Sequence, residues 1–277
     1  MTSAPLIAIA AVVGMVSGTH TAIWGMYKDA AHEGFSAIRF SRSIVVGGCV
    51  AVLLYAMLQS FAANSAALAI PSPGALLVLF GLAYAGERGI VEVWKTFFRN
   101  EDQSKYTIPM QFYVRGAPVS PRLRAVLGTA YAVVILAIIY GMAMLDAGRT
   151  GPASRVTVAL VGLSVGIVIA CGGAWKDAPT EGFELLKFFR SAAMTVSFAL
   201  LLYLLSDSYV EIAIAAIGYE RAAAETYKTF FFPSKPRGKF AGKPVLFPHM
   251  LSMRRYFVPV FVAIWLALLT AAAKVFA

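Results

Sequence analysis

Eight apolar runs, most of them about 20 residues long, constrain this chain more than any other feature. An α-helix needs roughly 20 apolar residues to cross the hydrocarbon core of a bilayer. Backbone N–H and C=O groups cannot stay unpaired in lipid, so the runs are predicted to be helices. They cover 5–24, 43–64, 74–93, 125–146, 155–174, 191–206, 208–222 and 256–276. We therefore predict an all-α integral membrane protein with about eight transmembrane helices.

The composition supports this class and excludes two others. Of the 277 residues, 59% are hydrophobic and only 14% are charged, against about 25% charged residues in an ordinary soluble domain. Too few polar residues are present to cover a soluble domain, and too many apolar residues for a disordered chain. The net charge is +10, but in a membrane protein its position matters more than its sum. We expect membrane lipids as partners and no nucleic acid.

The basic residues lie mostly on one side of the predicted spans. The connections after the first, third, fifth and seventh runs contain 19 of the 24 Lys and Arg residues, whereas Arg149, Arg155 and Lys274 lie on the other side. The positive-inside rule then places the basic connections in the cytoplasm and both termini outside. The expected location is the cytoplasmic membrane of a bacterium or archaeon. A homo-oligomer or a larger membrane complex is compatible with this expectation.

The two halves of the chain resemble each other. Residues 14–43 align with 162–191 without a gap, and 13 of the 30 positions are identical, where composition alone would give roughly two or three. A second block, ERGIVEVWKTFF from Glu87, aligns with ERAAAETYKTFF from Glu220. We predict two four-helix repeats, 1–146 and 147–277, in one membrane domain. Because each repeat has an even number of spans, the copies are parallel and related by a pseudo-two-fold axis along the membrane normal.

Motif one, Lys-Asp-Ala-x-x-Glu-Gly-Phe, occurs once in each repeat where the first helix reaches the cytoplasm. Its two carboxylates are four residues apart and so share one helix face. Carboxylates together with phosphate oxygens are typical Mg²⁺ ligands, and we expect Mg²⁺ as the cofactor. The predicted catalytic residues are Asp29, Glu33, Asp177, Glu181, Lys28 and Lys176, with the four carboxylates also as metal ligands. A purely structural turn and helix cap explains the same residues, and this alternative stays open.

Motif two, Glu-Arg-x-x-x-Glu-x-x-Lys-Thr-Phe-Phe, places a stripe of charges on one helix of each repeat. Ionisable residues within the bilayer often mark a site, but they also fit a buried charge ladder that pairs the two repeats. A basic segment in the last cytoplasmic connection could contact acidic lipid headgroups or a bound anion. The predicted ligand-binding residues from these regions and from the start of the second helix of each repeat are Arg42, Arg190, Glu87, Arg88, Glu220, Arg221, Glu225, Arg237 and Lys239.

Three functional hypotheses follow from these motifs. The preferred one is a membrane-embedded enzyme, dependent on Mg²⁺, that acts on a phosphorylated lipid or isoprenoid at the cytoplasmic interface. The others are a transporter with a central charged site between the repeats and a non-catalytic structural subunit of a membrane complex. The sequence leaves open whether the protein is an enzyme. His20 aligns with Val168, outside the repeated motifs, and is predicted to be a hydrogen-bonded packing residue.

Overall fold

The computed structural model describes residues 3–61, 64–231 and 239–277, and this part of the chain is mainly helical. The first half contains α1 (Ser3–Glu33), α2 (Ala37–Phe61), α3 (Pro73–Val93) and α4 (Pro121–Ala147). The second half contains α5 (Arg155–Glu181), α6 (Leu185–Leu202), α7 (Tyr209–Thr226), the short α8 (His249–Met253) and α9 (Val258–Phe276). Single π-helical turns extend α3 over Trp94–Phe98 and α7 over Tyr227–Phe231. The minor elements are 3₁₀ turns at Ala66–Ala69 and Arg254–Tyr256 and a two-stranded antiparallel hairpin, β1 (Tyr113–Val114) with β2 (Ala117–Pro118).

Seven helical segments are long and apolar enough to cross a membrane. They are α1, α2, α3 with its π turn, α4, α5, α6 and the segment His249–Phe276. The predicted class, an α-helical integral membrane protein, is confirmed. The eighth predicted span corresponds to α7, an 18-residue helix that contains Glu211, Glu220, Arg221 and Glu225. The four charged residues exclude α7 from the seven candidate spans, because each charged group is costly in lipid. A count of eight spans therefore stays a prediction.

Local sequence signals set the ends of the helices. Serine side chains accept hydrogen bonds from backbone N–H groups at the starts of α3, α4, α5 and α7, which satisfies donors that have no partner within the helix. At the other end of α1 and α5, Gly34 and Gly182 adopt φ values of 74° and 80°. Residues with a side chain rarely adopt this left-handed conformation. Both glycines therefore stop a helix directly after the second carboxylate of motif one.

The helices pack in matched pairs. α1 packs on α2, α5 packs on α6, and α3 packs on α7 at the centre of the bundle. α9 contacts α3, and α4 contacts α7, so the last helix of each half lies against the other half. Small residues allow α3 and α7 to approach each other closely, since a Cβ atom built on Gly218 would lie 2.1 Å from the carbonyl oxygen of Gly81. These paired contacts are what a two-repeat architecture requires, although the repeat and its axis stay predictions.

Candidate functional site

The motif-one carboxylates of the first half form an ion-paired corner where α1 ends and α2 begins. The Lys239 ammonium lies 3.0 Å from Asp29 Oδ2 and 3.1 Å from Glu33 Oε1. Arg39, in the first turn of α2, forms a further ion pair with Glu33 across the Gly34 turn. We call Asp29, Glu33, Arg39 and Lys239 the first corner. Its two carboxylates thus have two cationic partners within the protein.

The second half builds a similar corner from Asp177, Glu181 and Lys187. The Lys187 ammonium lies 3.2 Å from Asp177 Oδ2 and 2.7 Å from Glu181 Oε2. Lys187 aligns with Arg39, so in both halves a basic residue at the start of the following helix reaches back to motif one. Sequence reasoning did not include either residue among the predicted site residues. The sequence does contain a sign of their shared role, because the two basic residues are 148 positions apart and therefore align in the two halves.

The segment that follows α3 covers the first corner. The Tyr106 hydroxyl lies 3.0 Å from Glu101 Oε2 and 3.4 Å from Glu33 Oε1. Burial, followed by the charge of Glu33, raises the pKa of Tyr106. Burial alone would raise the pKa of Glu101, but the hydrogen bond from Lys105 and the charge of Arg99 outweigh it and lower that pKa below 4.5. Tyr106 is therefore a neutral hydrogen-bond donor held between two carboxylates.

The geometry of the two corners bears on the expected Mg²⁺ site. Across the described ranges, no group of three or more His, Cys, Asp and Glu side chains is arranged to hold a metal ion. The four motif-one carboxylates therefore do not converge on one shared centre. Each pair is instead bridged by a lysine, which supplies the positive charge that a cation would otherwise bring. The corners do not fit a resident Mg²⁺ in this conformation, and a role for the ion stays a prediction.

Motif two lies on the central helices α3 and α7. In α3, Arg88 lies 2.6 Å from Glu87 and 3.7 Å from Glu92, and Lys95 lies 3.3 Å from Glu92. Glu87 is fully buried, and its carboxylate accepts two hydrogen bonds from Arg88. The charged stripe predicted from the spacing is thus a continuous row of ion pairs that begins inside the bundle.

The same row in α7 has different pairing. Arg221 and Lys228 lie 3.4 Å and 3.6 Å from Glu225 Oε1. Glu220, which is 1% exposed, accepts a hydrogen bond of 2.7 Å from the Ser191 hydroxyl of α6. The other carboxylate oxygen of Glu220 is buried and has no hydrogen-bond partner in the described part of the chain. Glu220 therefore keeps one polar atom available inside the bundle.

The two motifs meet across the halves. The Lys28 ammonium, from motif one of the first half, lies 3.6 Å from Glu225 Oε2 in motif two of the second half. Conversely, Lys176 from the second half acts electrostatically on Glu92 in the first half. Arg42 interacts electrostatically with both Arg88 and Glu87, and Arg190 with Lys228. We call the combined set the basic cluster: Lys28, Arg42, Arg88, Lys95, Lys176, Arg190, Arg221 and Lys228, with Glu87, Glu92, Glu220 and Glu225.

Charge is unbalanced in the basic cluster, which has eight basic side chains and four carboxylates. Among the residues that the structure describes, Lys176, Arg42 and Arg190 have no carboxylate within 4.0 Å. The Nε atoms of Arg42 and Arg190 are buried without a hydrogen-bond partner there. All three side chains are half-buried, and cations without an ion pair at such positions can form charge-assisted hydrogen bonds with an anion from outside the chain.

The predicted site residues thus divide into two sets. Asp29, Glu33 and Lys239 belong to the first corner, and Asp177 and Glu181 to the second. The other predicted residues meet in the basic cluster, except Arg237, which lies outside the described residues. Sequence reasoning placed Lys28 and Lys176 with the motif-one carboxylates, whereas Lys28 pairs with Glu225 of the other half and Lys176 has no ion pair among the described residues.

No protein-family model, no curated protein and no solved structure matches this chain. The contacts of the corners and the basic cluster are therefore the basis for a functional proposal.

Proposed function

We propose that this protein binds a phosphorylated lipid or isoprenoid at the basic cluster and acts on it there as a membrane-embedded enzyme. The observation that carries the proposal is the surplus of cations, above all Lys176, Arg42 and Arg190, which have no ion pair in the described ranges. A phosphate monoester brings a charge of about −1.5 to −2 at neutral pH. Arginine and lysine are its usual protein ligands, through charge-assisted hydrogen bonds.

The depth of the cluster suits a lipid phosphate. Lys28 lies five residues before the end of α1, and Arg42 lies five residues after the start of α2. At a rise of about 1.5 Å per residue, both lie roughly 7–8 Å inside the helix ends. Anionic headgroups and basic side chains commonly meet at this level of a membrane. A bound lipid would thus present its phosphate to the cluster while its chains stay in the bilayer.

The proposed architecture gives each residue a role. We place the pseudo-two-fold axis between α3 and α7, with eight spans, the basic cluster at the cytoplasmic interface and both termini outside. Arg88 and Arg221 then lie beside the axis and can stabilise charge that develops on the phosphate. Glu92 and Glu225 hold the neighbouring lysines in place before the ligand arrives. The proposal needs no step through Mg²⁺, because the corner carboxylates already have lysine partners.

A transporter is the second candidate, and Glu220 is the observation that favours it. This carboxylate is 1% exposed, lies between α7 and α6, and has one oxygen without a hydrogen-bond partner in the described ranges. A polar group of this kind inside a helical bundle often marks a substrate pathway. The same cluster would then bind a phosphorylated ligand before it moves between the two halves.

One reconstitution experiment tests these alternatives. The purified protein is placed in vesicles that contain a defined phosphorylated lipid, and binding is titrated for the wild type, Lys176→Met and Arg155→Met. We expect saturable binding, weakened about tenfold or more by Lys176→Met, because a hydrogen bond to a charged group contributes roughly 1.5–3 kcal/mol. Arg155→Met is the matched control, since Arg155 begins α5 at the opposite end of that helix.

Product analysis then separates the mechanisms. Chemical conversion of the bound lipid, measured by mass spectrometry with and without added Mg²⁺, supports the enzyme. Movement of unchanged lipid or headgroup across the bilayer supports the transporter. If the lipid does not bind, or if Lys176→Met and Arg155→Met bind it equally well, the proposal is wrong and a structural role for the charges takes its place.

A further inference from the structure

A second polar group lies deeper in the first half, away from the basic cluster. His20 of α1 is fully buried, and its Nδ1 atom lies 3.2 Å from the Tyr84 hydroxyl of α3. The Trp24 indole N–H donates a hydrogen bond of 3.0 Å to the same hydroxyl. Phe261 and Trp265 of α9 flank the imidazole ring, with ring centroids at 4.2 Å and 5.5 Å. His20 is thus a hydrogen-bonded packing residue, as expected from its sequence context.

The hydrogen bonds allow the outer imidazole nitrogen to be a donor. An indole N–H can only donate, so the Tyr84 oxygen accepts from Trp24 and its own O–H can donate to His20 Nδ1. In this tautomer the imidazole proton lies on Nε2, which is then a donor. Nε2 is buried and has no hydrogen-bond partner within the described chain, and the same is true of the hydroxyl of Ser17, one helical turn away. The Thr21 hydroxyl is likewise buried without a hydrogen-bond partner there, so three buried polar atoms on one face of α1 lack partners.

This polar group is absent from the second half of the sequence. The positions that align with Ser17, His20 and Trp24 are Val165, Val168 and Gly172, and the position that aligns with Tyr84 is Ile217. A polar group required for packing within each repeat would be expected in both halves. Its presence in only one half places it outside the packing that the two halves share, and buried polar atoms without partners are costly to keep.

We propose that Ser17, His20 and Tyr84 form a binding site for a carbonyl oxygen of a lipid-soluble molecule, either the ester of an acyl lipid or the ring carbonyl of a quinone. The His20 Nε2–H donates to the carbonyl oxygen, and the Ser17 hydroxyl supplies a second donor. Phe261 and Trp265 contact the apolar part of the ligand. α9, which carries Phe261 and Trp265, packs on α1 and α3 and exposes most of its other surface. This site does not depend on the proposed function of the basic cluster.

Two tryptophans at the site provide a direct readout of binding. The full-length protein in detergent is titrated with three probes while tryptophan fluorescence is recorded: a short-chain diacylglycerol, its dialkyl ether analogue without carbonyl groups, and a short-chain alkyl benzoquinone. We expect one of the two carbonyl probes to bind saturably, and the one that binds identifies the source of the carbonyl. His20→Val, which installs the residue found at the aligned position, should weaken that binding about tenfold, the loss expected for one hydrogen bond.

Two further variants keep the test decisive. His20→Gln retains an N–H donor and should restore most of the affinity, and it also covers the case in which His20→Val does not fold. Val168→Ala alters the aligned position of the second half and should leave binding unchanged. The proposal is overturned if neither carbonyl probe binds saturably, if His20→Val and the wild type bind equally well, or if the ether analogue binds as tightly as the diacylglycerol and loses the same affinity in His20→Val.

Discussion

Replacing Glu225 by glutamine tests whether the motif-two charges are coupled across the two halves. The substitution keeps the size of the side chain and removes its charge. In the structure, Glu225 is 5% exposed and has three cationic partners, Lys28, Arg221 and Lys228, at 3.6 Å, 3.4 Å and 3.6 Å. Lys28 comes from the other half of the chain, so the change removes a contact that joins α1 to α7.

The size of the effect follows from burial. Removing one member of a buried ion pair costs roughly 3–5 kcal/mol. We expect about 3 kcal/mol, the lower end, because the three cations are about a quarter to a third exposed and keep some solvation. For a chain of this size about 2–4 °C of melting temperature corresponds to each kcal/mol, so Glu225→Gln should melt about 6–12 °C below the wild type.

The aligned residue Glu92 provides the control. Its side chain is 43% exposed and its ion pairs, with Arg88 and Lys95, lie within α3 and its π turn, whereas Lys176 of the second half acts on it only from beyond 4.0 Å. Exposed pairs contribute at most about 1 kcal/mol, so Glu92→Gln should melt within about 4 °C of the wild type. Both variants are melted in the same detergent, with tryptophan fluorescence as the signal. Equal losses for Glu225→Gln and Glu92→Gln, or no loss for Glu225→Gln, would refute this account of the cluster.

Three further predictions follow from the same contacts. Gly218→Ala should strongly destabilise the protein, because its Cβ would lie 2.1 Å from the Gly81 carbonyl oxygen, whereas Gly173→Ala, with nothing within 4 Å of its Cβ, should not lower the melting temperature. Asp177→Asn should lower the melting temperature by only about 2–4 °C and leave phosphate-lipid binding unchanged, because Asp177 pairs with Lys187 in the second corner. Loss of binding at an unchanged melting temperature would instead identify Asp177 as a ligand residue. Glu101→Gln should destabilise the protein at neutral pH and reduce its loss of stability in acid. Because the pKa of Glu101 is lowered, the wild-type carboxylate stabilises the fold above pH 4.5 and loses this contribution as the pH falls through its folded-state pKa. Identical stability–pH curves for the two proteins would contradict this prediction.

Helix positions and helix ends were predictable because they depend on local chemistry. The apolar runs predicted the helices, and the spacing of Asp29 and Glu33 correctly placed both carboxylates on the last turns of α1. Gly34 and Gly182 end their helices because they tolerate a positive φ. The π turns were not predicted, although both occur at the repeated Lys-Thr-Phe-Phe sequence. The periodicity of a helix does not distinguish such a turn from continued α-helix.

The partners of the charged residues could not be predicted in the same way. Lys239 pairs with Asp29 and Glu33 although it lies more than 200 positions away in the sequence. Lys28 pairs with Glu225 because α1 reaches α7 in the folded bundle. Residue spacing fixes which side chains share a helix face, but it does not fix which helix lies opposite. The candidate site therefore depends on tertiary packing that one sequence does not reveal.

The distance between a lipid phosphate and the arginines of the basic cluster tests the central proposal most directly. Solid-state ³¹P–¹⁵N dipolar couplings can be measured in vesicles that contain one phosphorylated lipid and protein labelled with ¹⁵N at its arginine side chains. We predict a coupling from the phosphate to guanidinium nitrogens that weakens in the Arg42→Met, Arg190→Met double variant, where only Arg88 and Arg221 remain beside the phosphate, and keeps its strength in Arg155→Met. No coupling in the wild type, or the same coupling in all three proteins, would contradict phosphate binding at the basic cluster.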